Sequence, residues 1–231
     1  MIDWGHIETV FLDLDGTLLD LHFDSHFWLE HLPRRYAERR GLEEAEAKKE
    51  VVPRLKAMEG RLEWYCLDHW SREFEMDIAE LKKEVAHLIA VHPYVEEFLA
   101  ALRRLEKRVV LTTNAHGDSL SLKLSRTRLG RYFDAVICAH DLGIPKEEPH
   151  FWQVLQMQES FEGGSTLLID DNPAVLRSAQ AFGIRFLIGV LTPDSRAPSK
   201  DPGEFPAIGD FREIMPQAVN AVRMRDRSNR G

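Results

Sequence analysis

The spacing of apolar residues changes period several times along the chain, and each change predicts a different element. Val10-Phe11-Leu12 is a short apolar run with a β-branched and an aromatic residue, and it ends abruptly in Asp13-Leu14-Asp15-Gly16-Thr17. Such a run reads as a buried strand. From about residue 25 to residue 89 the pattern is helical and rich in charge. Phe27-Trp28-x-x-x-Leu32 and Leu62-x-x-x-Cys66-Leu67-x-x-Trp70 have the i, i+3, i+4 spacing of a single buried face. Gly41 and Asp77 mark breaks between helices. From His92-Pro93 onward the periods alternate. Helices are expected over 95–105, 119–129, 149–157 and 173–182, and strands over 109–113, 135–139, 166–169 and 186–190. After Thr192 the prolines at 193, 198, 202 and 206 predict a loop, followed by a short helix near 211–215. Strands alternating with helices imply an α/β protein whose mostly parallel sheet is covered on both faces.

The expected organisation is a sheet-bearing core from residues 1–20 and 91–216, an all-α insertion over 21–90, and a basic, polar, solvated tail over 217–231. At 231 residues, 44% apolar and 29% charged, the chain can bury a substantial core. A formal charge of −8 argues against a nucleic-acid polymer or an anionic membrane as the main partner. No apolar run is long enough to span a bilayer, and the first residues lack the pattern of a signal peptide. Cys66 and Cys138 make neither a disulfide framework nor a metal site, which suggests a reducing, cytoplasmic setting.

Two carboxylates at the tip of a buried strand have no packing use. Alternate residues of an extended chain point the same way, so Asp13 and Asp15 project together beyond the strand. Close like charges call for a metal, a shared proton, or both. A plain Asp-Gly turn accounts for Asp15-Gly16 but not for Asp13. A calcium loop would place its glycine two positions later and needs a Glu where Asp24 stands. Thr113 and Asp170-Asp171 end two further expected strands, and ligands of parallel α/β sheets bind beyond those carboxyl ends.

Asp13-x-Asp15-Gly16-Thr17 after an apolar strand resembles the first motif of the haloacid dehalogenase (HAD) superfamily of phosphohydrolases. Three further motifs follow in the family's order: Thr113-Asn114, Lys146 in Gly143-Ile144-Pro145-Lys146, and Asp170-Asp171-Asn172. Lys146 departs from the common Lys-Pro pattern, because Glu147-Glu148-Pro149 follows it. The resemblance implies a Rossmann-like three-layer αβα core with a helical cap inserted after the first motif. It implies Mg²⁺ held by Asp13, Asp170, Asp171 and the carbonyl of Asp15. It makes Asp13 the nucleophile of an aspartyl-phosphate intermediate and Asp15 the general acid and base. Thr113, Asn114 and Lys146 would bind phosphate, with Lys146 also orienting Asp13.

Within the family, Leu21-His22-Phe23-Asp24, Gly60-Arg61-Leu62-Glu63-Trp64-Tyr65-Cys66-Leu67-Asp68 and Pro145-Lys146-Glu147 resemble a bacterial GMP/IMP 5′-nucleotidase branch. The implied partner is a small phosphorylated metabolite, with a purine nucleoside 5′-monophosphate first. His22, Phe23, Arg61, Trp64 and Tyr65 are the expected substrate-reading residues of the insertion. A phosphoglycolate or sugar-phosphate phosphatase shares every core motif and is the alternative. A phosphomutase and a phosphorylated receiver module stand further off.

Overall fold

The computed structural model describes residues 2–216, so the tail expected over 217–231 lies outside the described residues. The first strand, β1 (Thr9–Leu12), is fully buried. It is followed by a run of helices: α1 (His22–His26), a π-helical turn (Phe27–His31), α2 (Leu32–Arg40), α3 (Glu44–Ala57), α4 (Leu62–Tyr65), α5 (Leu67–Phe74) and α6 (Ile78–Glu84). The chain then alternates through α7 (Val95–Arg104), β2 (Arg108–Thr113), α8 (Gly117–Thr127), β3 (Ala135–Cys138), α9 (Ala139–Leu142) and α10 (Pro149–Gln158). It closes with β4 (Thr166–Ile169), α11 (Pro173–Phe182), β5 (Phe186–Val190) and β6 (Ala207–Ile208).

The six strands form one sheet in the order β3-β2-β1-β4-β5-β6, and every pairing is parallel. Alternation along β1 divides the core. Val10 and Leu12 pack on one face with Phe98, Leu99 and Leu102 of α7, and Phe11 packs on the other with Phe151 and Trp152 of α10. Helices therefore cover both faces, as a parallel sheet requires. The register then sets the site. Leu12 lies opposite Leu111 on one side and Ile169 on the other, so the next residues, Asp13, Thr112 and Asp170, emerge at one level. Backbone hydrogen bonds continue the ladder past the strand ends, from Asp13 N–H to the Ile169 carbonyl and from Asp170 N–H to the Ile188 carbonyl.

The helical insert has its own core of Phe23, Phe27, Leu32, Val51, Leu55, Trp70, Phe74 and Ile78. Two of its breaks are chemically plain. Gly41 closes α2 in the left-handed region at φ 67°, and the Asp77 side chain caps α6 by accepting the Glu80 N–H. The structure corrects the sequence reading at three points. The single helical face expected over residues 62–70 is two helices, because Cys66 between them is extended. The helix expected to start at residue 119 starts at Gly117, directly after His116. Strand β6 has only two residues within a proline-rich segment, too few to show a period. No helix among the described residues is long and apolar enough to cross a membrane, and both cysteines are free thiols.

Candidate active site

The ends of β1, β2 and β4 gather Asp13, the Thr112 carbonyl and Asp170 around one buried cation, Lys146, with Thr113 beside them in the same pocket. Its Nζ donates to Asp13 Oδ1 at 2.6 Å, to Asp170 Oδ2 at 2.7 Å and to the Thr112 carbonyl at 3.1 Å. Burial works against the ammonium, but the two carboxylates outweigh it and hold Lys146 above the ordinary lysine range. Burial pushes Asp13 and Asp170 up to about 6, with Lys146 opposing the shift in each case. Asp13 Oδ2 is buried without a hydrogen-bond partner. Asp13, Asp170 and Asp171 each offer a carboxylate oxygen, and these oxygens lie within 4.8 Å of one another.

Gly16 makes this cluster possible. Its φ is +87°, and an added Cβ would stand 2.9 Å from Asp171 Cγ and 3.0 Å from Pro193 Cβ. Thr17 Oγ1 accepts the Asp171 N–H at 3.1 Å, tying the loop after β1 to the loop after β4. Thr113 Oγ1 accepts the Ala115 N–H at 3.0 Å, which leaves its hydroxyl proton available to an oxyanion. Both ends of the Asn114 side chain are engaged: Oδ1 accepts the Lys146 N–H and Nδ2 donates to Glu147. Its Nδ2 has a second N–H, so both that donor and the backbone are candidates to hold phosphate in the pocket that Asn114 lines.

Glu147, which interrupts the expected Lys-Pro pattern, is a junction. It accepts from Tyr65 Oη at 2.8 Å, from Asn114 Nδ2 at 2.8 Å and from Asn172 Nδ2 at 3.1 Å. One carboxylate thus joins the insert to the loops after β2 and β4. Asp15 Oδ2 lies 2.7 Å from Lys123 Nζ, and burial, opposed by Lys123, pushes its carboxyl up to about 6. Asp171 pairs with Lys200 at 2.9 Å. Sequence reasoning missed Lys123, Lys200 and the role of Glu147. Lys200 carried a faint signal as a lysine in the proline-rich loop.

A pocket of about 430 Å³ opens over Asp13, Thr113, Lys146 and Asp170, and Trp64, Tyr65 and Glu59 form its insert side. A second pocket of about 360 Å³ shares Asp15, Trp64 and Tyr65 with it and runs on between Trp28, Lys56 and His116. Of the five insert residues expected to read substrate, Trp64 and Tyr65 line both pockets. Phe23 does not: it is 1% exposed, inside the insert's core and beneath the ammonium groups of Lys82 and Lys123. That expectation is corrected, because a ring packed into the insert's core and absent from the walls of both pockets cannot touch a ligand there. His22 turns to Asp194, 3.9 Å away, and Arg61 is exposed just before α4.

Comparison with known proteins agrees with this geometry. The family description haloacid dehalogenase-like hydrolase matches residues 7–183. The chain is 35% identical over 218 residues to the GMP/IMP nucleotidase YrfG of Escherichia coli K12, covering 94% of this chain and 98% of that protein. It is 23% identical over 192 residues to a phosphorylated carbohydrates phosphatase of Thermotoga maritima, covering 80% and 86%. Its fold is similar to the crystal structure of a HAD phosphatase from Thermococcus onnurineus, with a TM-score of 0.74, 21% identity and coverage of 90% and 96%. Strand-end carboxylates, a bridging lysine and a match across most of the chain lead to one assignment: this protein belongs to the haloacid dehalogenase-like hydrolase family.

Proposed function

We propose that this protein is a Mg²⁺-dependent phosphomonoesterase that acts through an aspartyl-phosphate on Asp13, with GMP and IMP as preferred substrates. The observation that carries the reading is Lys146 spanning Asp13 and Asp170 while Asp13 Oδ2 stays buried and unpartnered. A phosphate monoester and a carboxylate are both anions, so attack needs positive charge fixed at the meeting point. Lys146 supplies part of it and holds the Asp13 carboxylate by one oxygen. The other oxygen is the one that forms the bond to phosphorus, as the bond to the leaving oxygen breaks. Asp15, with its raised pKa, delivers the proton to that leaving oxygen. It then takes a proton from the water that attacks phosphorus and frees Asp13. Thr113 and the loop N–H groups after β2 hold the phosphoryl oxygens.

Three carboxylate oxygens so close together fit a hard divalent cation. Asp13, Asp170 and Asp171 would hold Mg²⁺, as would the Asp15 carbonyl implied by the family motif. When bound, the ion supplies charge neutralisation at the phosphoryl oxygens. A pH-dependent stability follows. Asp13 and Asp170 hold protons up to about 6, above the unfolded carboxyl value. The folded state therefore binds more protons than the unfolded chain between about pH 4 and pH 6. Their contribution is full below that window and is lost as pH rises through the folded pKa. A cation restores it where the carboxylates are ionised. Saturating Mg²⁺ at about 100 times its Kd should raise Tm by roughly 5–10 °C at pH 7.5 and much less at pH 5. Excess chelator should abolish turnover. Full activity in chelator, or a Mg²⁺ effect on Tm that is equal at both pH values, rejects the metal reading.

The second pocket favours a 6-oxopurine. Trp28 and Trp64 line it together with Lys56, a donor, and Glu59, an acceptor. Guanine and hypoxanthine share a 6-oxo acceptor beside an N1–H donor, whereas adenine inverts that pair. GMP or IMP should exceed AMP, UMP, phosphoglycolate and a hexose phosphate in kcat/KM by more than about tenfold, ~1.4 kcal/mol. Trp64→Ala and Glu59→Gln should each narrow that lead. The 35% identity to a GMP/IMP nucleotidase supports the same order. If phosphoglycolate or a hexose phosphate leads instead, the insert reads a small acid or sugar, as the similarity to a carbohydrate phosphatase would then suggest. Two free thiols and a soluble phosphorylated substrate suit the cytoplasm.

A further inference from the structure

A chain of charges runs away from the reaction centre with alternating sign, its lysines buried and its carboxylates partly buried: Asp15, Lys123, Asp24, Lys82. Lys123 Nζ lies 2.7 Å from Asp15 Oδ2 and 2.7 Å from Asp24 Oδ2. Asp24 Oδ1 accepts from Lys82 Nζ. Both lysines are almost fully buried, at 1% and 2% exposure. The Lys82 ammonium rests 4.7 Å, 4.9 Å and 5.4 Å from the ring centroids of Phe23, Phe27 and Trp28, and Lys123 lies 5.4 Å from that of Phe23.

Packing alone does not call for this arrangement. Burying an ammonium costs several kcal/mol, and apolar side chains of similar volume often serve stability as well or better. The direction of the chain is informative. Lys123 belongs to α8 of the sheet-bearing core, but Asp24 and Lys82 belong to α1 and α6 of the helical insert. Asp15 is therefore tied, through one cation, to two residues of the insert.

We infer that Lys123 is a positioning residue for Asp15, clamping Oδ2 so that Oδ1 meets the leaving oxygen, and that Asp24 and Lys82 hold Lys123 in that place. The inference rests on the reading of Asp15 as proton donor. A seated insert and an aimed donor are then one event. With the insert displaced, Lys123 loses Asp24 and Asp15 loses its fixed rotamer, so proton delivery is available only over a closed site.

The test varies the leaving group. An alkyl monophosphate such as the best natural substrate releases a basic alkoxide that needs a proton. 2,4-Dinitrophenyl phosphate releases a phenolate that does not. For both, kcat/KM reports the steps up to phosphoryl transfer. Lys123→Met should lower kcat/KM for the alkyl substrate by ~10–100-fold, within the ~10²–10⁴ that a placed acid contributes, and for the aryl substrate by less than about threefold. Equal losses on both substrates, or no loss on the alkyl one, overturn the inference. If Lys123→Met does not fold, Asp24→Asn carries the test. It should show the same asymmetry at smaller size, and an unchanged ratio of the two kcat/KM values overturns the inference. Asp15→Asn is the control. If it loses both substrates equally, the donor reading itself fails. If it shows the asymmetry and the lysine variant does not, only the role of Lys123 falls.

Discussion

Replacing Asp13 with Asn should leave a folded protein whose turnover is lower by on the order of 10⁴-fold or more, the scale seen when a nucleophile is removed. The asymmetry between fold and activity follows from the site. Asp13 is buried, and burial is the largest influence on its carboxyl, raising it to about 6. Asn keeps the shape and removes a charge that the fold accommodates at a cost. Lys146 keeps Asp170 as its partner at 2.7 Å, so no cation is orphaned. Tm should be unchanged or higher at pH 7.5. A large fall in Tm with partial activity would mean that Asp13 serves the fold and not the reaction.

Lys146→Met should do the opposite and damage both. It strips the countercharge from two buried carboxylates at once, Asp13 and Asp170. Breaking a buried pair in this way costs about 3–5 kcal/mol. For a chain of this size that lowers Tm by roughly 6–20 °C at pH 7.5. Near pH 5 the loss should shrink, because both carboxyls, raised to about 6, can take up protons and shed the unpaired charge. Activity should fall by a further ~10²–10³-fold relative to wild type even where the variant is folded, the scale of one lost electrostatic stabiliser. Thermal melts at the two pH values decide the matter. A Tm loss that is the same at pH 5 and 7.5 would contradict the electrostatic account of the cluster.

The parts of the site that could be read in the sequence are those fixed by short-range pattern. β1 and β4 are four-residue strands, each a Thr and three apolar residues followed by acids, and their parallel register brings Asp13 beside Asp170 without further information. Gly16, Thr17 and Lys146 stand near such strand ends or in the loops that face them. The illegible parts depend on contacts between distant residues. Lys123 sits within Leu120-Ser121-Leu122-Lys123-Leu124 and reads as an ordinary helical lysine. Only its approach to Asp24, 99 residues earlier, shows why it faces inward. Phe23 looked ligand-facing for the same reason in reverse. Its fate is set by packing in the insert's core and under Lys82, which comes from another helix of the insert. Glu147 looked like a disturbance of the lysine loop, yet three donors from three segments converge on it. Cys66, read as the middle of a helix, is extended, and that break sets the Trp64-Tyr65 pair apart from the face of Trp70.

The most direct test of the central claim is the mass of Asp15→Asn enzyme quenched in acid during turnover with Mg²⁺ and substrate. Loss of the base that activates water slows hydrolysis of the intermediate more than its formation with an activated substrate such as 2,4-dinitrophenyl phosphate. The account predicts a phosphoryl adduct that fragmentation places on Asp13 and that Asp13→Asn eliminates. An adduct on another residue, or continued turnover by Asp13→Asn at a wild-type rate, would contradict it.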